Sequence, residues 1–154
     1  MSYYDDLAFW PLAGEPIETL RAIGWIEQGH PFTRGVVSEK FFGELVQLLV
    51  QPWQPAVAAG LHRCSLCRFT GGPGTLNYNG TSVTMGAATL FVPGDGRIYS
   101  APSLIAHYID AHDYCPPQEF ISAVSQCPPM RSMQYLRQIR AIGGKDLIRM
   151  AQGK

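Results

Sequence analysis

The apolar positions of residues 39–50, "EKFFGELVQLLV", recur with the period of a helix. Four of them share one face: Phe41, Leu45, Leu48 and Leu49. Ser38 precedes the run in the position of an N-cap, and Pro52 follows it, where a helix cannot continue. The pattern predicts an amphipathic helix that packs on a core.

Strand-like alternation marks three other segments. Two short alternating runs flank Asn79-Gly80, the strongest short signal for a β-hairpin. A second hairpin is predicted in "ATLFVPGDGRIYS", turning at residues 94–96, and a short strand is predicted over residues 20–27, "LRAIGWIE".

Three helices are predicted in the second half of the chain. The first spans roughly residues 102–112, the second begins at the prolines of "PPQEFISAVSQ", and the third starts near Ser132 and is interrupted or ended by Gly143-Gly144. Strands and helices do not alternate along the chain, which favours an α+β fold over a parallel α/β sheet.

Length and composition predict one α+β domain, which we place at residues 1–137, followed by a basic helix or tail over residues 138–154. A chain of 154 residues can bury a core of its own. Charged residues make up 16%, well below the average of about 25%. So low a content of charged residues is compatible with a surface that a partner covers, or with a protein rich in loops.

Charge is unevenly distributed along the chain. Residues 1–60 carry seven acidic residues against three basic ones, whereas residues 131–154 carry six basic residues against one acidic residue. Arg131, Arg137 and Arg140 are therefore candidates for contact with nucleic acid or an acidic partner. A solvated helix that lies near the acidic half is the simpler interpretation of the same residues.

The start of the chain, "MSYYDDLAFWPLAGEP", has neither the positive region nor the apolar region of a signal peptide. The longest apolar run, "FFGELVQLLV", is too short to span a bilayer. We therefore expect a cytoplasmic protein without membrane contact. In a reducing cytosol the four cysteines are expected to be thiols or metal ligands.

Two cysteines and two histidines have the spacing of a zinc site. Cys64 and Cys67 are separated by two residues, so a tight turn can aim both sulfurs at one point. His107 and His112 are separated by an interval that zinc accepts, although five residues on an ideal helix rotate by about 140°. His112 is therefore expected where the helix ends.

The identity of the fourth ligand is open on sequence grounds. Cys115 forms a ligand spacing with His112 and can replace His107, and His62 is another spare donor. Buried cysteines beside unrelated histidines, or a redox pair, are further interpretations of the same residues. The βαβ context of a thioredoxin-like redox motif is missing.

Four protein ligands indicate a structural Zn²⁺, since catalytic zinc keeps a position open for water. The sequence contains no H-E-x-x-H motif and no deaminase signature. We therefore expect a protein that is not an enzyme. The predicted architecture is a zinc-knuckle/β-hairpin/helix (treble-clef-like) module with flanking helices.

Aromatic residues near the start of the chain are candidates for a partner-binding face. Tyr3, Tyr4 and Trp10 are of the types that supply interface hot spots. For Trp25 and Trp53 a place in the core is favoured.

Several strings resemble an uncharacterised family of small bacterial proteins: "GWIEQGHPF", "HRCSLC", "VPGDGRIY" and "APSLIAHYIDAHDYCPP". The resemblance covers roughly residues 3 to 137 and implies no activity. It places Cys115 in a variable position, which weakens that residue as a ligand.

These observations lead to a hypothesis about function. We expect a non-enzymatic module that binds another protein, with a bacterial toxin-neutralising immunity protein as the most concrete version. The acidic first third suits a basic toxin. Nucleic-acid binding through the zinc module and the basic end is the alternative.

Overall fold

A computed structural model describes residues 3–12, 15–55, 64–67 and 74–151. These residues form five helices and two sheets, which is the predicted α+β class. In chain order the elements are β1 (Phe9–Leu12), β2 (Glu15–Ala22), α1 (Glu39–Val50), β3 (Thr75–Tyr78), β4 (Thr81–Thr84), β5 (Thr89–Pro93), β6 (Ile98–Pro102), α2 (Ile105–His112), α3 (Gln118–Gln126), α4 (Met133–Ala141) and α5 (Lys145–Ala151).

Both predicted hairpins are confirmed. Strands β3 and β4 pair antiparallel around Asn79 and Gly80, which both adopt positive φ angles (46° and 80°), as a tight hairpin turn requires. Strands β5 and β6 pair antiparallel in a four-stranded sheet of order β1-β2-β6-β5, in which β2 and β6 run parallel.

The first part of this sheet differs from the prediction. Strand β2 starts at Glu15 and ends at Ala22, so the predicted strand over residues 20–27 is wrong beyond Ala22. Gly24 has a φ of 74°, which a strand does not accommodate, and turns the chain away. Strand β1 was not predicted, because it is short and contains Pro11, which obscures the alternation.

The predicted helix over residues 39–50 is confirmed by α1. The hydroxyl of Ser38 accepts a hydrogen bond from the backbone N–H of Phe41 at 3.1 Å, as an N-cap does. All four residues of the predicted face are buried. The helix expected from residue 102 starts at Ile105, because residues 98–102 belong to β6.

The larger sheet lies between two layers of helices. Successive residues of β5 point to opposite faces, so Leu90 and Val92 join the core under α1, α2 and α3, whereas Phe91 joins a second core. That second core includes Tyr135 and Ile139 of α4. The predicted division of the chain at residue 137 stays a prediction.

No helix in the described part of the chain combines the length and the apolar character needed to cross a membrane.

Candidate metal centre

A tight turn presents the two cysteine sulfurs. Residues 64–67 form this turn, and the hydroxyl of Ser65 accepts a hydrogen bond from the backbone N–H of Gln28 at 2.8 Å. Cys64 is 2% exposed and belongs to the main core, while Cys67 is half-buried against it. The turn is therefore anchored both to the core and to the segment after β2.

Helix α2 presents the two imidazoles from its middle and its end. His107 is 6% exposed, and His112 is the last helical residue. Asp113 follows in the left-handed conformation (φ 58°), and its backbone N–H donates to the carbonyl of Tyr108. The helix thus ends at His112, as expected from the five-residue interval between the histidines.

The four side chains converge on one point. Nε2 of His107 lies 3.2 Å from Sγ of Cys67, and Nε2 of His112 lies 3.4 Å from Sγ of Cys64 and 3.7 Å from Sγ of Cys67. One donor atom from each of the four residues lies within 4.8 Å of all the others. The cluster can therefore hold a metal ion.

These distances match the edges of a tetrahedron around zinc. With Zn–S bonds of about 2.3 Å and Zn–N bonds of about 2.05 Å, sulfur and nitrogen ligands lie about 3.5 Å apart. Thiol–imidazole hydrogen bonds can give similar distances, since an imidazole N–H can donate to sulfur, but a shared metal ion also accounts for the convergence of all four donors. Sγ of Cys67 lies close to both imidazoles.

Burial disfavours the charged forms of Cys64, His107 and His112 while no cation is bound. It raises the pKa of the Cys64 thiol to about 11, although backbone N–H groups of Leu66 and Cys67 favour the thiolate. It also lowers the pKa of His107 and of His112, so the rings stay in the neutral form that binds metals. A divalent cation would stabilise the thiolates by displacing their protons.

The open question of the fourth ligand is narrowed by this geometry. The cluster of described residues contains His107 and not Cys115. The backbone N–H of Cys115 donates to the carbonyl of Thr33 at 2.9 Å, and its side chain packs near Gly35. His62, the other spare donor, lies outside the described residues.

A groove adjoins the cluster. Its volume is about 260 Å³, and its lining includes five residues that we call the acidic groove: Val36, Glu39, Tyr78, Asp110 and Asp113. Val36 is 96% exposed and adds apolar surface at this edge. In the described part of the chain none of the three carboxylates has an ion-pair partner.

The residues proposed from sequence for partner binding are spread over two regions. Arg131, Arg137 and Arg140 are exposed in α4 and the turn before it. Tyr3, Tyr4 and Trp10 are half-buried near the start of the chain. Their role stays a prediction, whereas the expected burial of Trp25 and Trp53 is confirmed.

Sequence reasoning missed a pairing of Asp6 with Tyr114. The tyrosine hydroxyl donates to the Asp6 carboxylate at 2.8 and 2.9 Å, and the backbone N–H of Gly24 donates to it at 3.0 Å. Local sequence patterns do not predict this contact, because 108 residues separate its partners.

Together, the fold and the cluster define a small α+β protein with a Cys₂His₂ group, shared between a turn and a helix, that can hold a metal ion. The chain belongs to the family described as Domain of unknown function (DUF7919), whose model matches residues 2–125. The prediction of an uncharacterised family is thereby confirmed. No curated protein and no solved structure matches the chain.

Proposed function

We propose that this protein is a zinc-stabilised module without catalytic activity that binds a basic protein partner in the bacterial cytoplasm. The observation that carries the metal part is the convergence of two sulfurs and two imidazole nitrogens within 4.8 Å. Two thiolates with two imidazoles are a donor set typical of structural zinc.

Zinc in this site would have a structural role. Four protein donors complete the tetrahedron and leave no position for a reactive water. The ion would join the turn of residues 64–67 to helix α2. These segments are distant in sequence, since His107 follows Cys67 by forty residues. The ion would also hold one wall of the acidic groove, because His112 lies between Asp110 and Asp113 along the chain.

Elemental analysis of protein purified without chelator tests the metal, with one zinc per chain expected. Absence of bound metal would contradict the proposal. Replacement with Co²⁺ tests the coordination, because tetrahedral thiolate ligation gives intense visible bands and a sulfur-to-metal charge-transfer band. Added azide should leave the cobalt spectrum unchanged. A change would reveal an open coordination position and support a metallohydrolase instead.

The acidic groove supports a basic partner. Tyr78 and Phe42, a further lining residue whose ring meets that of Tyr78 edge to face, supply apolar surface, and Glu39, Asp110 and Asp113 supply negative charge at the edge. Such a groove suits a lysine or arginine side chain, whose carbon stem packs on rings while its charge meets carboxylates. A basic nuclease toxin is a partner of this chemistry, and an immunity protein would neutralise it.

Affinity capture from the source organism tests the partner. Glu39→Lys reverses a charge in the groove, and Glu18→Lys makes the same change at an exposed carboxylate outside it. We expect a basic protein to be retained by the wild type and by Glu18→Lys and lost by Glu39→Lys. Expression of the captured basic protein alone should arrest the growth of a bacterial host. Co-expression of the wild-type zinc-stabilised module should restore growth. If Glu39→Lys retains the same proteins as the wild type, the groove is not the binding surface.

Nucleic-acid binding is the second candidate. Arg137 and Arg140 are exposed on α4 and have no acidic partner within the described residues. Binding to mixed-sequence DNA and RNA at rising salt tests it, because phosphate contacts give a steep salt dependence. Under this candidate the double variant Arg137→Ala, Arg140→Ala should lower the salt slope by about 2. Absence of binding at low salt would rule out nucleic-acid binding.

A further inference from the structure

A second cavity, of about 240 Å³, lies apart from the metal cluster and the acidic groove. Four aromatic side chains and two carboxylates line it, and we call it the aromatic cavity: Tyr3, Tyr4, Trp25, Phe32, Asp5 and Asp6. It shares no lining residue with the groove. Its volume is below the range of about 300–1,000 Å³ that holds a drug-sized ligand, so it suits a small head group.

Two of the four rings meet at a corner, and Trp10 stacks on the ring of Trp25 with centroids 5.5 Å apart. Tyr4 meets Trp25 at 87°, with ring centroids 6.0 Å apart. One face of Tyr3 is covered by His30, whose ring lies 3.9 Å away and nearly parallel. The opposite face of Tyr3 is therefore the one that can contact an occupant.

Phe32 already binds a cation on one side. The guanidinium of Arg34 lies over its ring, 4.8 Å from the centroid. Aromatic faces attract cations through the ring quadrupole, and the attraction is stronger in a desolvated cavity than in water. Arg34 is one positive charge near a cavity that contains two carboxylates.

The two carboxylates accept hydrogen bonds from uncharged donors. The hydroxyl of Tyr3 donates to Asp5, and Asp6 accepts from Tyr114 and from the backbone of Gly24. No lysine or arginine of the described residues forms an ion pair with either carboxylate. The two carboxylates thus lack a paired cation, although part of their capacity to accept hydrogen bonds is used.

We propose that the aromatic cavity binds a methylated ammonium group. Such a cation has no need of several hydrogen-bond acceptors, gains from aromatic faces, and is attracted by carboxylates at a distance. A primary ammonium would rely more on hydrogen-bond acceptors, and Tyr3, Tyr114 and Gly24 already use part of the capacity of the two carboxylates. The group can come from a free molecule such as choline or from a methylated lysine of another protein. The proposal does not depend on bound zinc or on the acidic groove.

Calorimetric titration of the metal-loaded protein with choline and with 3,3-dimethylbutan-1-ol, its uncharged carbon isostere, tests the proposal. Choline should bind about tenfold tighter or more, because both fill the same space and choline alone carries charge. Equal affinity for the two, or no binding of any methylated ammonium, would overturn it. A second titration uses a peptide that contains trimethyllysine. If the peptide binds more tightly than choline, the natural ligand is a methylated protein. If choline binds more tightly, the natural ligand is a small molecule.

Two variants of the cavity make the test specific. Tyr4→Leu removes one ring, and Asp5→Asn removes one carboxylate from an exposed residue outside the core. Each should weaken choline binding about fivefold or more, because Tyr4→Leu removes a cation–π contact and Asp5→Asn removes a negative charge that attracts the cation. Phe9→Leu removes an exposed ring outside the cavity and the acidic groove and should leave the affinity unchanged. If the three variants bind choline equally, the cavity is not the site.

Discussion

The sulfur of Cys67 lies 3.2 Å from Nε2 of His107, forty residues further along the chain. Neither residue reaches this position by local structure alone. The turn of residues 64–67 is held by Gln28 and by the core. The buried side of α2 packs into the same core, on one face of the larger sheet. The contact therefore depends on the whole fold, and a bound metal would stabilise that fold in return.

Cys64→Ser should abolish metal binding and most of the stability. Structural zinc sites contribute about 10–16 kcal/mol of apparent binding free energy, which is comparable with the total stability of a domain. We expect the variant to lack metal by elemental analysis and to lose its cooperative thermal transition. Cys115→Ser changes a thiol outside the cluster and should keep one zinc per chain. A folded, wild-type-like Cys64→Ser protein would contradict the structural role of the metal.

Asp6→Asn should change how stability depends on pH. Burial raises the pKa of the Asp6 carboxyl above its ordinary value of 3.8, although hydrogen bonds from Gly24 and Tyr114 oppose the shift. The stabilising contribution of Asp6 is complete below pH 3.8 and is lost as the pH rises through the raised pKa. Asparagine stays neutral, so the variant should gain stability relative to the wild type over that pH range.

Urea unfolding at a series of pH values measures this difference. Both proteins contain the same cluster, so acid effects on metal binding cancel when the two free energies of unfolding are subtracted. A difference that does not vary with pH, or that falls as the pH rises, would show that the carboxyl is not penalised by burial.

Tyr135→Phe tests how α4 is attached to the sheet. The Tyr135 hydroxyl is fully buried and donates to the carbonyl of Phe91 at 2.5 Å. Its removal leaves a buried acceptor and should cost about 1–3 kcal/mol. Thermal unfolding should then shift downward by roughly 2–4 °C for each kcal/mol. The hydroxyl of Tyr78 has no partner among the described residues, so Tyr78→Phe should stay within about 0.5 kcal/mol of the wild type.

Gly94→Ala should destabilise the second hairpin. A Cβ at this position would overlap Cε2 of Tyr99, whose ring is 2% exposed and whose hydroxyl donates to Glu119 at 2.7 Å. Overpacking against a fixed ring costs about 1–3 kcal/mol. At Gly74 an added Cβ meets nothing within 4 Å, so Gly74→Ala is the matched control. Equal unfolding free energies for the two variants would contradict the predicted clash.

Elements with local signals could be predicted from the amino-acid sequence. The cap at Ser38, the turn at Asn79-Gly80 and the prolines that bound helices act through neighbouring residues, and all three appear in the structure where the pattern predicts them. The ligand pairs could also be recognised, because the interval between Cys64 and Cys67 and the interval between the two histidines are each short.

Which donor atoms meet, and which residues surround them, depends on how distant segments pack. His107 joins the cluster and Cys115 does not because the end of α2 pairs with residues 33–35, where Cys115 donates to Thr33. The contact of Asp6 with Tyr114 and the aromatic cavity likewise join distant segments. Such contacts produce no periodic pattern in a sequence. They depend on how the helices and the sheet pack together and not on the conformation of adjacent residues.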